Sequence, residues 1–274
     1  MANGYRTIIH PTDFSDLSVE AFMHALRIAL ANRGKLNLVH VAETDDPDEW
    51  IWFPHVRHAL VQWGLLGDSD PPTAVADKLG IKVAKVGLEP QDPLRGLLRF
   101  LEKNPSDLIV VATHGRAGLA HWLGGSIAED FSRQAKLPTL FVAPSARGFV
   151  DQGSGKLSLR RVLVPVDHAP PPAEPLRRIG QFVAPLSEHG VALDLFHVGA
   201  TAPAIRRASD GAIVPVETHG GEVVGTILKL AVEREADLIA MPTAGHRGFL
   251  DAVRGSTTER VLRHAPCPVL AVPA

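Results

Sequence analysis

Short apolar runs alternate along the chain with longer stretches whose apolar residues recur at helical spacing. In the first half these runs lie near 7–10, 36–41, 81–86, 107–111 and 139–142; in the second half they lie near 161–166, 192–198, 213–217, 238–241 and 268–272. Each run predicts a buried strand, because its flanks carry turn residues and helical patterns separate it from the next. Right-handed crossovers through those helices predict an α/β fold of two Rossmann-like, doubly wound parallel sheets.

The first helix is predicted from Asp16 to Asn32. Its apolar residues follow i, i+3, i+4, i+7 spacing and so form one face for the core. Gly34 follows as a C′ residue that ends the helix. The predicted apolar face consists of Val19, Phe22, Met23, Leu26, Ala29 and Leu30.

The chain is an internal duplication. Ile8–Asp13 is repeated as Val162–Asp167, and Leu38–Val41 is repeated as Leu195–Val198. Asp107–Gly115 matches Asp237–Gly245 in the same order, which indicates two copies of one domain. We therefore predict domains at residues 1–146 and 159–274, joined by a Gly-rich linker over 147–158. The offset between copies falls from 157 to 130, so about 27 extra residues of the first copy lie between 43 and 78.

Charge and cysteine content limit the partners. The 28 Lys and Arg against 30 Asp and Glu leave a formal charge of −2, which gives no electrostatic reason to expect nucleic acid or a membrane surface. The single Cys267 excludes an intrachain disulfide and is expected as a small core residue. With neither a signal peptide nor an apolar run long enough for a membrane span, the sequence predicts a cytoplasmic protein.

A ligand in such a fold binds beyond the carboxyl ends of the strands, where the strand order reverses. In the first half those ends carry Pro11-Thr12-Asp13, Val41 and Val111-Ala112. The Gly-rich loop from Gly115 to Ser126 then leads into a helix, and free amides at a helix start favour a phosphate. Two other interpretations stay open. The serines begin S-x-x-E capping boxes, and Asp13 and Asp167 have the position of an Asx turn or helix cap.

These motifs resemble the universal stress protein family, in a tandem arrangement that spans nearly the whole chain. The ATP-binding members show G-x2-G-x9-G-[ST] after the fourth strand. The halves read Ala112-x2-Gly115-x9-Gly125-Ser126 and Pro242-x2-Gly245-x9-Gly255-Ser256, so both keep the later glycines and lack the first.

The resemblance implies a strand order of 3-2-1-4-5 and two halves that meet through their last strands, at Pro138–Val142 and Pro268–Val272. It also implies that Asp13 faces the base and ribose and that Val41 meets the base through its main chain. The phosphates would lie on Gly115, Gly125, Ser126 and Ile127, with Arg116 as the nearest cation. The second-half counterparts, which are the weaker candidates, are Asp167, Val198, Gly245, Gly255, Ser256 and Thr257.

The function predicted from these residues is a stress-response protein that binds an adenine nucleotide, ATP or AMP, with or without Mg²⁺, and acts as a sensor or regulator. Two alternatives remain: a ligand-free interaction module that dimerises or binds a client protein, and a slow ATP hydrolase. A fast enzyme is not expected, because no G-x4-G-K-[ST] loop is present and no catalytic residue is assigned. Binding is expected to be asymmetric, because Pro242 removes an N–H that Ala112 keeps.

Two further features bear on chemistry. His10, His40 and His114 follow neighbouring strands, but no H-x3-H or C-x2-C frame accompanies them, so we expect hydrogen-bonded packing residues and no metal ligands. The insertion carries Trp50, Trp52, Phe53 and Trp63 beside a helical stretch over 55–66. It is predicted to form a satellite core, and the alternative is that its aromatic residues lie over the first site as a lid or against a partner.

Overall fold

The computed structural model describes residues 4–42, 51–89, 92–113, 127–143, 146–188, 190–207, 210–243 and 257–274. Twelve strands run through this part of the chain. They are β1 (Thr7–Pro11), β2 (Lys35–Val41), β3 (Lys82–Leu88), β4 (Leu108–Ala112), β5 (Thr139–Val142), β6 (Arg161–Pro165), β7 (Ala192–Val198), β8 (Ile205–Arg206), β9 (Ile213–Val214), β10 (Glu217–His219), β11 (Leu238–Thr243) and β12 (Val269–Pro273).

Eight α-helices lie between them in the same described ranges. They are α1 (Asp16–Asn32), α2 (Val56–Gln62), α3 (Ala74–Leu79), α4 (Pro93–Lys103), α5 (Ile127–Ala135), α6 (Ala173–Val183), α7 (Val223–Glu233) and α8 (Thr257–Leu262). Within these ranges, none of the helices combines the length and the apolar character needed to cross a membrane.

Ten of the described strands form one continuous sheet, in the order β10-β7-β6-β11-β12-β5-β4-β1-β2-β3. Each half therefore has the order 3-2-1-4-5, which confirms the predicted fold class. The halves join through β5 and β12, which pair antiparallel with Leu270 opposite Leu140. This confirms the predicted meeting of the last strands. Because that junction is antiparallel, the carboxyl ends of the two halves lie at opposite edges of the sheet.

Helix α1 has the predicted bounds but a different end. Arg33 takes the left-handed conformation at C′, with φ 46°, and the Gly34 amide donates to the Ala29 carbonyl at 3.0 Å. Gly34 is therefore the C″ residue of a Schellman motif, not the C′ residue. A glycine is needed for another reason, because a Cβ there would lie 2.2 Å from the main-chain oxygen of Arg6.

The predicted apolar face of α1 was too narrow. Phe22, Leu26 and Ala29 are buried as expected, whereas Val19 is 38% exposed. Buried Ser18 and His24 extend the packed surface, because they hydrogen-bond to neighbouring segments.

The predicted sheet strand over 213–217 lies in the wrong position. Residues 213–214 form a small hairpin with β8, and the sheet edge is β10 at 217–219.

The described part of the insertion packs into the main core of one sheet face, so the predicted satellite core is wrong. Phe53 is only 2% exposed, and Leu60, Trp63 and Leu66 lie in the same cluster as Ile8 of β1. Trp63 donates through Nε1 to the Gln152 carbonyl at 2.8 Å, so the insertion also holds the segment between the halves. Trp52 is 60% exposed, and Trp50 lies outside the described residues.

Candidate functional site

Three carboxyl ends converge in the first half at the point where the strand order reverses. β1 lies between β2 and β4, with Pro11 opposite Val39 and Ile9 opposite Ile109. Pro11, Val41 and Ala112 are the last residues of the three strands, and Val111 precedes Ala112. The structure thus brings together the strand-end residues predicted for the site. Ile127 begins α5, whereas Gly115, Arg116, Gly125 and Ser126 lie outside the described residues.

The turn after β1 is held by its own side chains. Asp13 Oδ1 accepts hydrogen bonds from the Ser15 amide at 3.1 Å and the Ser15 hydroxyl at 2.6 Å. Ser15, in turn, caps α1 by accepting from the Ser18 amide at 3.3 Å. The helix cap is therefore Ser15, and Asp13 forms the Asx turn before it.

Thr12 links this turn to β2 and α1 through hydrogen bonds. Its amide donates to the Val39 carbonyl at 2.9 Å, and its Oγ1 accepts from the Ser18 hydroxyl at 2.9 Å and from the Phe14 amide at 3.2 Å. Main-chain groups alternate in direction along a strand. The Val39 carbonyl bonds toward β1, and the Ala42 amide bonds toward β3. By this alternation the amide and carbonyl of Val41 point to the β1 side, into the mouth.

An aromatic cluster lines this mouth. Phe14, at φ 61°, stacks on His40 with ring centroids 4.0 Å apart, and Phe53 meets Phe14 edge-on at 5.1 Å. His40 Nδ1 lies 2.7 Å from the Thr12 carbonyl oxygen. The alternative of a lid over the first site anticipates Phe53 near this mouth, whereas Phe14 has no role in the sequence prediction. Phe14 adjoins the Asp13 motif and could have been suspected, but Phe53 arrives from the insertion by long-range packing.

His10 lies fully buried under the site. Its Nδ1 is 2.9 Å from the Val110 carbonyl oxygen, and its Nε2 is 3.4 Å from the Ser18 hydroxyl. Burial lowers the pKa of His10 to about 4, against the smaller opposing effects of the Val110 hydrogen bond and the Asp13 charge. His10 and His40 therefore have the hydrogen-bonded packing role that we predicted, and His114 lies outside the described residues.

The corresponding mouth of the second half is built differently. Pro242 pairs with Val272 in the register in which Ala112 pairs with Val142, so the two positions are structurally equivalent. The Asp167 side chain is 68% exposed, and its Oδ1 accepts from the His168 amide at 2.7 Å. His168 Nε2 lies 2.8 Å from the Thr201 carbonyl oxygen, so this ring links the turn after β6 to the segment after β7.

Other predicted second-half residues fall in two groups. Val198 ends β7, and Thr257 begins α8. Gly245, Gly255 and Ser256 lie outside the described residues. His197 Nδ1 lies 3.0 Å from the Val166 carbonyl oxygen and so repeats the His40 arrangement of the first half.

A separate groove of about 940 Å³ lies beside the amino-terminal half of β3, between α2 and α3. Its basic wall includes Arg57, Lys82 and Lys85, with His55 and His58 beside them. The predicted strand-end residues do not line it. The groove is therefore distinct from the crevice at the carboxyl ends of the strands.

Comparisons with known proteins agree with this architecture. The sequence profile described as the universal stress protein family matches residues 4–143 and 202–273. Over 144 residues the chain is 33% identical to universal stress protein MJ0531 of Methanocaldococcus jannaschii, which covers 51% of this chain and 83% of that protein.

Solved structures extend the likeness to both halves. A universal stress protein from Archaeoglobus fulgidus DSM 4304 superposes with a TM-score of 0.62 at 21% identity, over 97% of this chain and 95% of that one. A putative universal stress protein from Pseudomonas aeruginosa UCBPP-PA14 gives 0.64 at 13% identity, over 98% and 93% of the two chains. At these identities the structures support the fold alone. The family match and the tandem 3-2-1-4-5 sheets show that the chain belongs to the universal stress protein family.

Proposed function

We propose that the first half binds an adenine nucleotide, ATP or AMP, and that the chain acts as a stress-response sensor or regulator. The observation that carries this proposal is the convergence of Asp13, Val41 and Ala112 at the reversal of strand order. Ligands of open α/β sheets bind in that crevice. Family membership supports the choice of an adenine nucleotide.

Each strand end has a distinct task in this proposal. The Val41 main chain, which faces the mouth, hydrogen-bonds the base edge, while the Asp13 carboxylate accepts from a ribose hydroxyl. A hydrogen bond to a charged group contributes about 1.5–3 kcal/mol, which is roughly a 10- to 150-fold change in affinity. The Asx turn with Ser15 supports this role, because it holds the carboxylate in place before the ligand arrives.

The phosphates are proposed to bind where α5 begins, at Ile127 and the preceding Gly125-Ser126. Amides at a helix start favour negative charge, and a glycine allows close approach of a phosphate. Arg116 is the nearest cation in the loop sequence. Mg²⁺ would bind chiefly through the phosphates, because it usually keeps waters and takes few protein ligands.

The second half is proposed to bind nucleotide weakly or not at all. Pro242 lacks the N–H that Ala112 offers at the equivalent place, and its ring adds bulk there. The link from His168 to the Thr201 carbonyl also joins the turn after β6 to the segment after β7, at the mouth that the base would have to enter. Two independent features of the second half therefore oppose a nucleotide.

The sheet topology bears on the rival hypothesis of an interaction module. β5 and β12 pair with each other within one chain. The edges of these strands are therefore not open for a homodimer. A homodimer or a client protein would have to use another surface.

The test is to heat-denature the purified full-length protein and to identify released nucleotides by chromatography. The wild-type chain should release ATP or AMP, and Asp13→Ala should release much less. Absence of release, together with no uptake of added ATP or AMP, would favour the interaction module. Phosphate release with added Mg²⁺ measures hydrolysis, which should be slow.

A further inference from the structure

We propose that Asp167, His168 and His197 bind one divalent transition-metal ion of the zinc class in the second half. One ligand atom from each residue, a ring nitrogen or a carboxylate oxygen, lies within 4.8 Å of the other two. Asp167 and His168 follow β6, and His197 lies on β7. These two strands are neighbours, and their carboxyl ends meet at one edge of the sheet. This proposal does not depend on nucleotide binding in the first half.

Both imidazole rings are oriented by main-chain carbonyls. His197 places Nδ1 3.0 Å from the Val166 oxygen, and His168 places Nε2 2.8 Å from the Thr201 oxygen. A carbonyl only accepts, so these ring nitrogens carry the protons of the neutral tautomers. The other nitrogen of each ring, His197 Nε2 and His168 Nδ1, keeps a lone pair for a metal, and Asp167 Oδ1 lies 3.8 Å from the His197 ring at Nδ1. Metal-binding histidines are commonly held in this way by a second hydrogen bond.

Charge and exposure suit a metal that also binds solvent or another ligand. His197 is buried at 8% exposure, whereas Asp167 and His168 are exposed at the mouth. The carboxylate would offset part of the positive charge of the ion. Two imidazoles and one carboxylate suit Zn²⁺, Co²⁺ or Ni²⁺ better than Mg²⁺ or Ca²⁺. Three protein ligands leave a tetrahedral ion with one open position.

The first half provides an internal comparison. Its equivalents are Asp13, Phe14 and His40, so a phenyl ring stands where the second half has His168. Phe14 and His40 stack at 4.0 Å, whereas the His168 and His197 rings meet edge-on with centroids 5.4 Å apart. The two halves thus share the strand histidine, His40 or His197. They differ at the other ring, which is Phe14 in the first half and the proposed nitrogen ligand His168 in the second. Sequence spacing gave no metal signal, because His168 follows β6 whereas His197 lies on β7, 29 residues further along the chain.

The experiment uses the full-length chain after dialysis against a chelator. Calorimetric titration with Zn²⁺ should show one tight site per chain, and titration with Co²⁺ should give the visible absorption of a tetrahedral ion. His168→Phe, which copies the first half, should abolish the tight site. Asp167→Asn should weaken it by about 10-fold or more, because even indirect changes at metal sites cost 10- to 100-fold. Both changes are at exposed positions, and circular dichroism checks the fold.

His58→Phe is the matched control. His58 is exposed, and with His55 three residues away it is a rival pair of histidines that could bind a metal ion. It should leave the tight site unchanged. The proposal is overturned if the wild-type chain has no tight Zn²⁺ site, or if folded His168→Phe and Asp167→Asn proteins bind as the wild type does. Loss of the tight site in His58→Phe alone would place the metal elsewhere and would also overturn it.

Discussion

His24 of α1 connects the first half to the segment between the halves. Its Nδ1 lies 2.9 Å from the Glu20 carbonyl oxygen, its Nε2 accepts from the Phe149 amide at 3.1 Å, and its ring packs edge-on against Phe149 at 4.6 Å. These two hydrogen bonds require the neutral ring with its proton on Nδ1. Protonation of Nε2 would break the bond to Phe149. We therefore expect His24 to make the fold sensitive to acid.

Burial lowers the pKa of His24 to about 4 from its ordinary value of 6.5, with a smaller opposing effect of the Glu20 hydrogen bond. Because the folded-state pKa is lowered, the unfolded chain binds the extra proton as the pH falls below 6.5. Stability is therefore fully present above that pH and is lost progressively down to about pH 4. Between pH 7.5 and pH 5, this one group lowers the free energy of unfolding by about 2 kcal/mol.

The assay is urea unfolding followed by tryptophan fluorescence at pH 7.5 and pH 5, since Trp63 contacts the same segment. His24→Gln keeps an acceptor for the Phe149 amide but does not titrate. Its loss of stability between the two pH values should be smaller than that of the wild type by about 2 kcal/mol. Glu20, whose pKa is raised by burial, is present in both proteins, so its contribution cancels.

His58→Gln, at an exposed histidine, should lose as much stability as the wild type. An equal or greater loss of stability between pH 7.5 and pH 5 in His24→Gln than in the wild type would show that His24 does not cause the acid sensitivity. His10, whose pKa is also lowered to about 4, should account for part of the loss that remains in both variants.

Two other predictions concern the fold. Gly34→Ala should lower the free energy of unfolding by about 1–3 kcal/mol, because its Cβ would lie 2.2 Å from the Arg6 oxygen and the main chain must shift; an unchanged urea midpoint would contradict the close approach. A fragment of residues 1–158 should self-associate in sedimentation experiments, because removal of β12 exposes the apolar edge of β5. A fragment that stayed monomeric at high concentration would show that the edge does not drive association.

Local patterns predicted most of the fold. Apolar runs located the sheet strands of the first half to within about two residues, and the spacing from Asp16 to Asn32 gave the bounds of α1. The duplication and the resemblance gave the strand order and the contact between β5 and β12. The error at 213–217 arose because a short apolar run can form a hairpin or a sheet edge with the same residues. Only tertiary pairing decides between them.

The site was predictable where it follows from strand ends and not where it depends on distant segments. Asp13, Val41 and Ala112 could be placed together because parallel strands end at one edge of the sheet. Phe53 was placed near the site only by the alternative of a lid, because the packing of an insertion has no local signal in the sequence. The trio of Asp167, His168 and His197 was missed for a similar reason: its third member lies on a neighbouring strand, and a spacing rule detects only ligands close in sequence.

The stoichiometry of nucleotide binding to the intact chain distinguishes one site in the first half from two equivalent sites. ATP and AMP are titrated by calorimetry into protein freed of bound nucleotide, with and without Mg²⁺. Wild type, Asp13→Ala and Asp167→Ala are compared, and circular dichroism checks each fold. We predict about one nucleotide per chain, lost or weakened roughly 10- to 150-fold in Asp13→Ala and retained in Asp167→Ala. Two equivalent sites, or a loss confined to Asp167→Ala, would contradict the assignment of the first half as the nucleotide-binding half.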